Sequence, residues 1–228
     1  MKTLIHTPTN KLENSLDFYQ KLGLKQISEA PIIFTDGKAV IEINPDRFAR
    51  PGIKLYQHSW EKEAEAIKEI TALSKYETGY LLSDPSGVWI YLEETELTLN
   101  FEPSEQSFST LGNYAGLSIE TTDIQRATDL YEKLGFTQIA GAVDQGFVSL
   151  TLGDFGLNLM RPLMCPHLFF NPSMTYFNGK INNPIVIESI RALHIPITEE
   201  ITHFNQEGIV DNIIVRDPGG YGFFIFND

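Results

Sequence analysis

The stretch Leu16-Asp-Phe-Tyr-Gln-Lys-Leu-Gly-Leu-Lys-Gln-Ile27 returns 112 residues later as Thr128-Asp-Leu-Tyr-Glu-Lys-Leu-Gly-Phe-Thr-Gln-Ile139. Seven of the twelve positions are identical between the two copies. Each copy is typical of the second half of an amphipathic helix that ends at a glycine and is followed by a strand. A match of this length within one chain indicates that the protein arose by duplication.

The residues around each copy predict four units, each ordered as one strand, one helix and three strands, or βαβββ. These units are residues 1–46, 51–94, 113–161 and 172–228. The predicted helices begin at Asn10 or Lys11, and span 61–74, 124–134 and 183–193, the last with Pro184 in its first turn. In unit two the second strand is predicted to be short or irregular.

Two turns of the form Asp-Pro-x-Gly show how the units pair. Asp84-Pro-Ser-Gly87 lies near the end of unit two, and Asp217-Pro-Gly-Gly220 near the end of unit four. Proline and glycine supply the dihedral angles of such hairpin turns. The sequence therefore predicts two domains, residues 1–96 and 113–228, joined by a polar, acidic linker over 97–112.

Composition limits the function. The 228 residues include 17 Lys and Arg against 30 Asp and Glu, a net charge of −13. Such a charge repels phosphate backbones and anionic lipid, so we expect neither nucleic acid nor membrane as a partner. Cys165 is the only cysteine, which excludes an intrachain disulfide, and the sequence shows no signal-peptide core. We therefore expect a cytoplasmic protein, with Cys165 as a structural thiol.

The four paired units, the helix motif Leu-Asp-Phe-Tyr-x-Lys-Leu-Gly and the Asp-Pro-x-Gly hairpins resemble the vicinal oxygen chelate superfamily, which includes glyoxalase I, bleomycin-resistance proteins and extradiol dioxygenases. The resemblance covers nearly the whole chain. It implies an α+β fold of two tandem glyoxalase-like domains, in each of which two units curl a mixed sheet around a cavity. In that superfamily small molecules bind inside the cavity.

Enzymes of the superfamily usually hold a divalent metal ion with His, Glu or Gln from the first and last strands of each paired unit. In unit one the last strand places Glu42 at such a position. In the first strand the ungapped match is Leu4, and His6 fits with a small gap. His6 lies two residues on and therefore on the same face of the strand as Leu4.

Unit two departs from that pattern. The best helix alignment places Leu55 at the ligand position of its first strand, and His58 reaches the same face only through a bulge. Its last strand has Tyr91 where the metal enzymes have Glu. His6, Glu42 and His58 form the one possible ligand set of domain one.

In domain two the corresponding positions fall near Gly116, on Asn158, near Thr175 or Tyr176, and on Phe224. These residues provide no set of metal ligands, so the resemblance predicts a domain two without metal. We expect no metal or other cofactor in the protein.

Aromatic residues alternate along the last strands of units two and four. Trp89, Tyr91 and Glu93 share one face, as do Phe224 and Phe226. Aromatics at this spacing fit either ordinary core packing or a cavity lined by rings with a few polar groups. For the second interpretation, the predicted ligand-binding residues are His6, Glu42, Trp89, Tyr91, Asn158, Tyr176 and Phe224.

Two functional hypotheses remain open. The first is a binding protein that sequesters a small aromatic or amphipathic molecule without metal, with cationic ligands favoured by the acidic charge. The second is a metal-dependent lyase, isomerase or dioxygenase-like enzyme with its site in domain one. An interaction module is a third hypothesis. No catalytic residue is assigned, and both a monomer and a homodimer fit the tandem arrangement.

Overall fold

The computed structural model of the protein describes residues 1–165 and 167–227, and its elements follow the order βαβββ four times. The predicted end of unit four, Asp228, lies outside the described residues. The elements of the first half are β1 Lys2–Pro8, α1 Leu12–Lys21, β2 Lys25–Glu29, β3 Ile32–Thr35, β4 Val40–Asn44, β5 Gly52–Tyr56, α2 Glu61–Ile67, β6 Ser74–Tyr76, β7 Gly79–Ser83 and β8 Trp89–Glu93. The elements of the second half are β9 Tyr114–Glu120, α3 Ile124–Lys133, β10 Thr137–Ala142, a 3₁₀ turn Val143–Gln145, β11 Phe147–Leu152, β12 Phe155–Met160, β13 Ser173–Phe177, α4 Gly179–Ala192, β14 Ile197–Ile201, β15 Asn212–Arg216 and β16 Gly222–Phe226.

Each half forms one mixed sheet of eight strands. The first sheet has the order β2-β3-β4-β1-β5-β8-β7-β6, and the second has the order β10-β11-β12-β9-β13-β16-β15-β14. In both sheets the first strands of the two units pair antiparallel at the centre, and each pairs parallel with the last strand of its own unit. The predicted α+β class and the two tandem domains are therefore confirmed.

The repeated motif forms the end of α1 and of α3. Gly23 and Gly135 follow the two helices with φ of 84° and 96°, a conformation that favours glycine. Tyr19 and Tyr131, at the same position of the motif, are fully buried. Among the repeated residues, the glycine therefore ends each helix, and the tyrosine fills the core.

Two helices differ from the prediction. Helix α2 ends at Ile67 instead of residue 74, and the carbonyl of Ile67 accepts the N–H groups of Ile70 and Thr71 in the turn that follows. The residues that follow form β6, an edge strand. Helix α4 begins at Gly179 instead of residue 183, so Pro184 lies inside the helix and not in its first turn.

The helices cover one face of each sheet, and the apolar core on that face runs through both domains. Where the domains meet, the ring of Phe223 in β16 lies 5.7 Å from that of Phe18 and 6.1 Å from that of Tyr19. The linker is bound to unit one, since the N–H of Phe108 donates to the carbonyl of Asp36 at 2.9 Å. No helix in the described part of the chain is long and apolar enough to cross a membrane.

Candidate functional site

The face of each sheet that the helices leave uncovered, here called the inner face, carries the candidate site residues. Strand alternation separates the two faces: in β1, Ile5 enters the helix-side core, whereas Leu4 and His6 point to the inner face. The register of adjacent strands determines which inner-face residues lie next to each other. His6 lies opposite Glu42 in β4, and Lys54 in β5 lies opposite Tyr91 in β8.

The same register places four residues at the equivalent positions of domain two. Ser118 lies opposite Asn158, and Thr175 lies opposite Phe224. The hydroxyl groups of Ser118 and Thr175 are 2.8 Å apart, and Asn158 Oδ1 accepts a 2.7 Å hydrogen bond from Ser149. The two domains therefore share a backbone frame, and the side chains at these four positions are neutral in domain two, whereas domain one has a carboxylate and an ammonium group at two of them.

In domain one, Glu42 is the centre of a buried ion cluster. The residue is 3% exposed, and its carboxylate accepts a hydrogen bond from Lys54 Nζ at 2.8 Å and one from the Tyr56 hydroxyl at 3.5 Å. Lys54 Nζ also lies 4.0 Å from the carboxylate of Glu93, which accepts a further bond from the Thr78 hydroxyl at 2.7 Å. Burial raises the pKa of Glu42, and the charge of Lys54 acts in the opposite direction.

His6 is neutral, and both of its ring nitrogens are engaged. Nδ1 donates to the carbonyl of Arg50 at 2.7 Å, and Nε2 accepts from the amide of Asn44 at 3.1 Å, partners that together fix the tautomer. Burial, followed by the charge of Lys54, lowers the pKa of His6 to about 3. The ring of Tyr91 lies 4.8 Å from that of His6.

The predicted ligand set of His6, Glu42 and His58 is not brought together. His58 is exposed and follows the end of β5, so it does not reach the inner face. Leu55 points into the helix-side core, and the inner-face position of β5 belongs to Lys54, whose ammonium lies against Glu42. Among the residues described, no three His, Cys, Asp or Glu side chains are placed to hold a metal.

The donor set of domain one therefore does not fit the divalent ion that the superfamily usually holds. A cation already contacts the carboxylate, and no nitrogen of His6 is free. Part of the inner face is also covered. Leu97 and Leu99 of the linker pack on a cluster of Leu4, Ile33 and Tyr56.

In domain two the inner face lines a cavity of about 770 Å³. Its apolar walls consist largely of phenylalanines, namely Phe169, Phe177, Phe204, Phe224 and Phe226. Hydroxyl, amide and charged groups complete the lining: Ser118, Thr175, Asn205, Asn212, Asn227, Lys180, Glu207 and Asp211. Cys165 lines the cavity as well.

The seven predicted ligand-binding residues fall into three groups. His6, Glu42, Trp89 and Tyr91 share the inner face of domain one, which carries the ion cluster. Phe224 lines the cavity of domain two, and Asn158 lies on the same inner face. Tyr176 lies apart from both groups: in β13 the inner positions are Thr175 and Phe177, and Tyr176 is buried in the core, where its hydroxyl donates to Asp36 at 3.2 Å.

Sequence reasoning missed Lys54, because lysine is not a metal ligand and the helix alignment pointed to Leu55. It also missed Phe169, which lies in the crossing between units three and four, whose Pro166 is outside the described residues. The ring of Phe169 packs 5.1 Å from that of Phe224. The run Leu168-Phe169-Phe170 beside prolines was the available signal.

Comparison with known proteins identifies the architecture. No family model and no curated protein sequence matches the chain. The 2,3-dioxygenase LapB from Pseudomonas sp. KL28 superposes with a TM-score of 0.59 over 99% of this chain and 91% of that one, at 14% identity. The chain has the fold of the extradiol dioxygenases.

Further solved structures agree. A variant of homoprotocatechuate 2,3-dioxygenase from Brevibacterium fuscum gives a TM-score of 0.61 at 16% identity, over 99% of this chain and 70% of that one. A catechol 2,3-dioxygenase gives 0.56 at 14% identity, over 97% and 85%. The predicted resemblance to the vicinal oxygen chelate superfamily is thus confirmed for the fold.

Proposed function

We propose that the protein binds one small aromatic or amphipathic molecule in the inner-face cavity of domain two, without a metal ion. The observation that carries this proposal is the cavity itself, about 770 Å³ in volume and walled by five phenylalanines. Pockets for small ligands typically measure roughly 300–1,000 Å³ and combine apolar walls with a few polar groups.

The phenylalanines are arranged to receive a flat ring. Phe169 and Phe224 meet at 78° with their centroids 5.1 Å apart, and Phe224 and Phe226 meet at 77° with centroids 5.6 Å apart. Edge-to-face pairs of this kind present both ring faces and ring edges to a bound aromatic group. Burial of the apolar body of the ligand supplies most of the affinity.

The polar groups of the cavity orient the ligand. Ser118 and Thr175 share one hydrogen bond of 2.8 Å, so one of their two hydroxyl hydrogens is left to donate to a ligand oxygen or nitrogen. Charges of both signs also line the cavity, Lys180 on one hand and Glu207 and Asp211 on the other. The two carboxylates, together with a net charge of −13, favour an amphipathic cation over an anion.

The alternative is a metal-dependent lyase, isomerase or dioxygenase-like enzyme with its site in domain one. The dioxygenase fold supports it. The contact between Lys54 and Glu42 and the engaged nitrogens of His6 speak against it, since they leave no open ligand set. Metal analysis of the purified protein separates the two functions, because the enzyme requires one divalent ion per chain.

Titration calorimetry with three naphthalene probes tests the proposal: neutral 2-naphthol, anionic 2-naphthoate and a cationic 2-naphthylmethylammonium salt. We expect one site per chain, the tightest binding for the cation, and no change after treatment with a chelator. Phe224→Ala removes part of the wall and should weaken binding about tenfold or more, which corresponds to at least about 1.4 kcal/mol.

Phe48→Ala is the matched control, because Phe48 is a phenylalanine of domain one that is 68% exposed. Its affinity for the probes should equal that of the wild type. The proposal is wrong if none of the three probes binds, or if Phe224→Ala and Phe48→Ala bind them equally well.

A further inference from the structure

We propose that Lys54 is a built-in cation at the centre of domain one. Its ammonium group takes the place in which the superfamily usually holds a divalent metal ion, and it turns that place into a closed structural ion cluster. This inference concerns the domain without the proposed ligand cavity, so it stands or falls independently of the proposed function.

The position of the ammonium group is the first observation. Lys54 Nζ lies 2.8 Å from Glu42 Oε1 and 4.0 Å from Glu93 Oε1, between carboxylates of β4 and β8. It also lies 5.5 Å from the centroid of the Tyr91 ring. The positive charge of Lys54 therefore lies at the centre of the sheet. Ligands from the same strands would converge on a metal ion at this place.

The cluster is buried and complete. The side chains of Lys54, Glu42 and Glu93 are 11%, 4% and 12% exposed, respectively. Hydrogen bonds from Tyr56 and Thr78 satisfy further carboxylate oxygens. A buried carboxylate requires a cation or several donors, and here the chain itself supplies both.

Domain two provides an internal comparison. At the position equivalent to Glu42 it has Asn158, and at the position equivalent to Lys54 it has Thr175. At these two positions domain two therefore lacks both the carboxylate and the ammonium group. This is the expected pattern if the role of Lys54 is to neutralise Glu42.

The two domains also differ in how far the inner face is accessible from solvent. Leu97 and Leu99 pack on the inner face of domain one, and Phe169 packs on that of domain two, where a cavity of about 770 Å³ remains. An ion cluster that only stabilises the fold needs no path from solvent, but a binding site does. The covering residues are thus consistent with a structural centre in domain one.

Metal uptake and thermal denaturation test the role of Lys54. The wild type should contain no stoichiometric divalent ion, and excess Mn²⁺ or Zn²⁺ should not raise its Tm. Lys54→Ala leaves Glu42 and Glu93 without their cation and opens space between them. Its Tm should fall by roughly 10 °C, the shift expected for breaking a buried ion pair in a chain of this size. Excess Mn²⁺ or Zn²⁺ should then restore part of this loss, with one ion bound per chain.

Lys62→Ala is the matched control, because Lys62 is an exposed lysine of α2 in the same domain. It should behave as the wild type does, with and without metal. Two results would overturn the proposal: a stoichiometric divalent ion in the wild type with Lys54 intact, or a Lys54→Ala protein that is as stable as the wild type.

A second pair of variants keeps the test decisive if Lys54→Ala fails to fold. Glu42→Asn combined with Lys54→Thr installs in domain one the pair that domain two already has. The double variant should have a higher Tm than Lys54→Thr alone, because it removes the unpaired carboxylate. If the Tm losses of Glu42→Asn and Lys54→Thr simply add in the double variant, the two side chains are not coupled and Lys54 has no such role.

Discussion

The phenol of Tyr19 in domain one donates a 2.9 Å hydrogen bond to Oδ2 of Asp217 in domain two. The reciprocal bond exists as well, since the phenol of Tyr131 donates to Oδ2 of Asp84 at 3.0 Å. Each tyrosine belongs to the repeated helix motif, and each aspartate begins an Asp-Pro-x-Gly turn. The helix of the first unit in each domain is thus bound to the closing turn of the other domain, in a pseudo-twofold arrangement.

Tyr19→Phe should lower the free energy of unfolding by about 1–3 kcal/mol, because the buried carboxylate of Asp217 loses a donor. Tyr131→Phe should cost a similar amount through Asp84. Urea unfolding measures both. Tyr114→Phe is the control, since the buried hydroxyl of Tyr114 has no hydrogen-bond partner among the described residues. An equal loss in all three variants would show that the hydrogen bonds do not hold the domains together.

The sequence could predict both motifs but not their contact with each other. The repeated motif predicted where α1 and α3 end, and the two turns predicted which units pair. Both predictions rest on local sequence signals. The bond between Tyr19 and Asp217 joins residues 198 positions apart, and neither residue carries a local sign of the other. The same holds for the linker. Its polar composition predicted a loop, but in the structure its residues Leu97 and Leu99 pack on the sheet of domain one.

The candidate site was harder to predict, because a side chain belongs to it only if it lies on the inner face of the sheet. The sequence placed the inner position of β13 near Thr175 or Tyr176, and this difference of one residue decides whether a side chain faces the cavity, as Thr175 does, or the core, as Tyr176 does. Phe224 and Phe226 both line the cavity, and their alternation could be read from the sequence because the Asp-Pro-x-Gly turn marks the start of their strand. Lys54 had no such marker.

The two Asp-Pro-x-Gly turns differ at their third position, which is Ser86 in one and Gly219 in the other. A Cβ atom at Gly219 would overlap the carbonyl oxygen of Pro8 at the end of β1. Gly219→Ala should therefore push the turn away from β1 and destabilise the protein by about 1–3 kcal/mol.

Ser86→Ala is the matched change in the other turn and should cost about 1 kcal/mol, the value of its hydrogen bond to Asp84. Urea unfolding of the two variants makes the comparison. A Gly219→Ala protein no less stable than Ser86→Ala would mean that the close approach of the turn to β1 is not required.

His6 should make the protein sensitive to mild acid. Its folded-state pKa of about 3 lies below the ordinary value of 6.5, so the unfolded chain binds a proton that the native state excludes. The stability due to neutral His6 is present above pH 6.5 and is lost as the pH falls toward 3. At pH 5 the loss from this residue should be about 2 kcal/mol.

His6→Gln isolates this contribution, because the carboxyl groups whose pKa values are raised by burial act in the opposite direction in every variant, namely Glu42, Asp84 and Asp217. Unfolding free energies at pH 7 and pH 5 should differ by about 2 kcal/mol less in His6→Gln than in the wild type. His58→Gln, a change at an exposed histidine, should keep the wild-type difference. If His6→Gln keeps that difference too, His6 is not the acid-sensitive group.

Cys165 offers a direct test of where the ligand binds, because it is the only cysteine of the chain and lines the cavity of domain two. Burial raises the pKa of its thiol, so alkylation by iodoacetamide should be slow at neutral pH and faster as the pH rises.

A probe bound in the cavity should shield the sulfur. With the naphthylmethylammonium probe at ten times its Kd, the alkylation rate should fall about tenfold, and in urea the probe should have no effect. Phe224→Ala should need more probe for the same protection. Calorimetric binding without any protection of Cys165 would place the ligand outside this cavity.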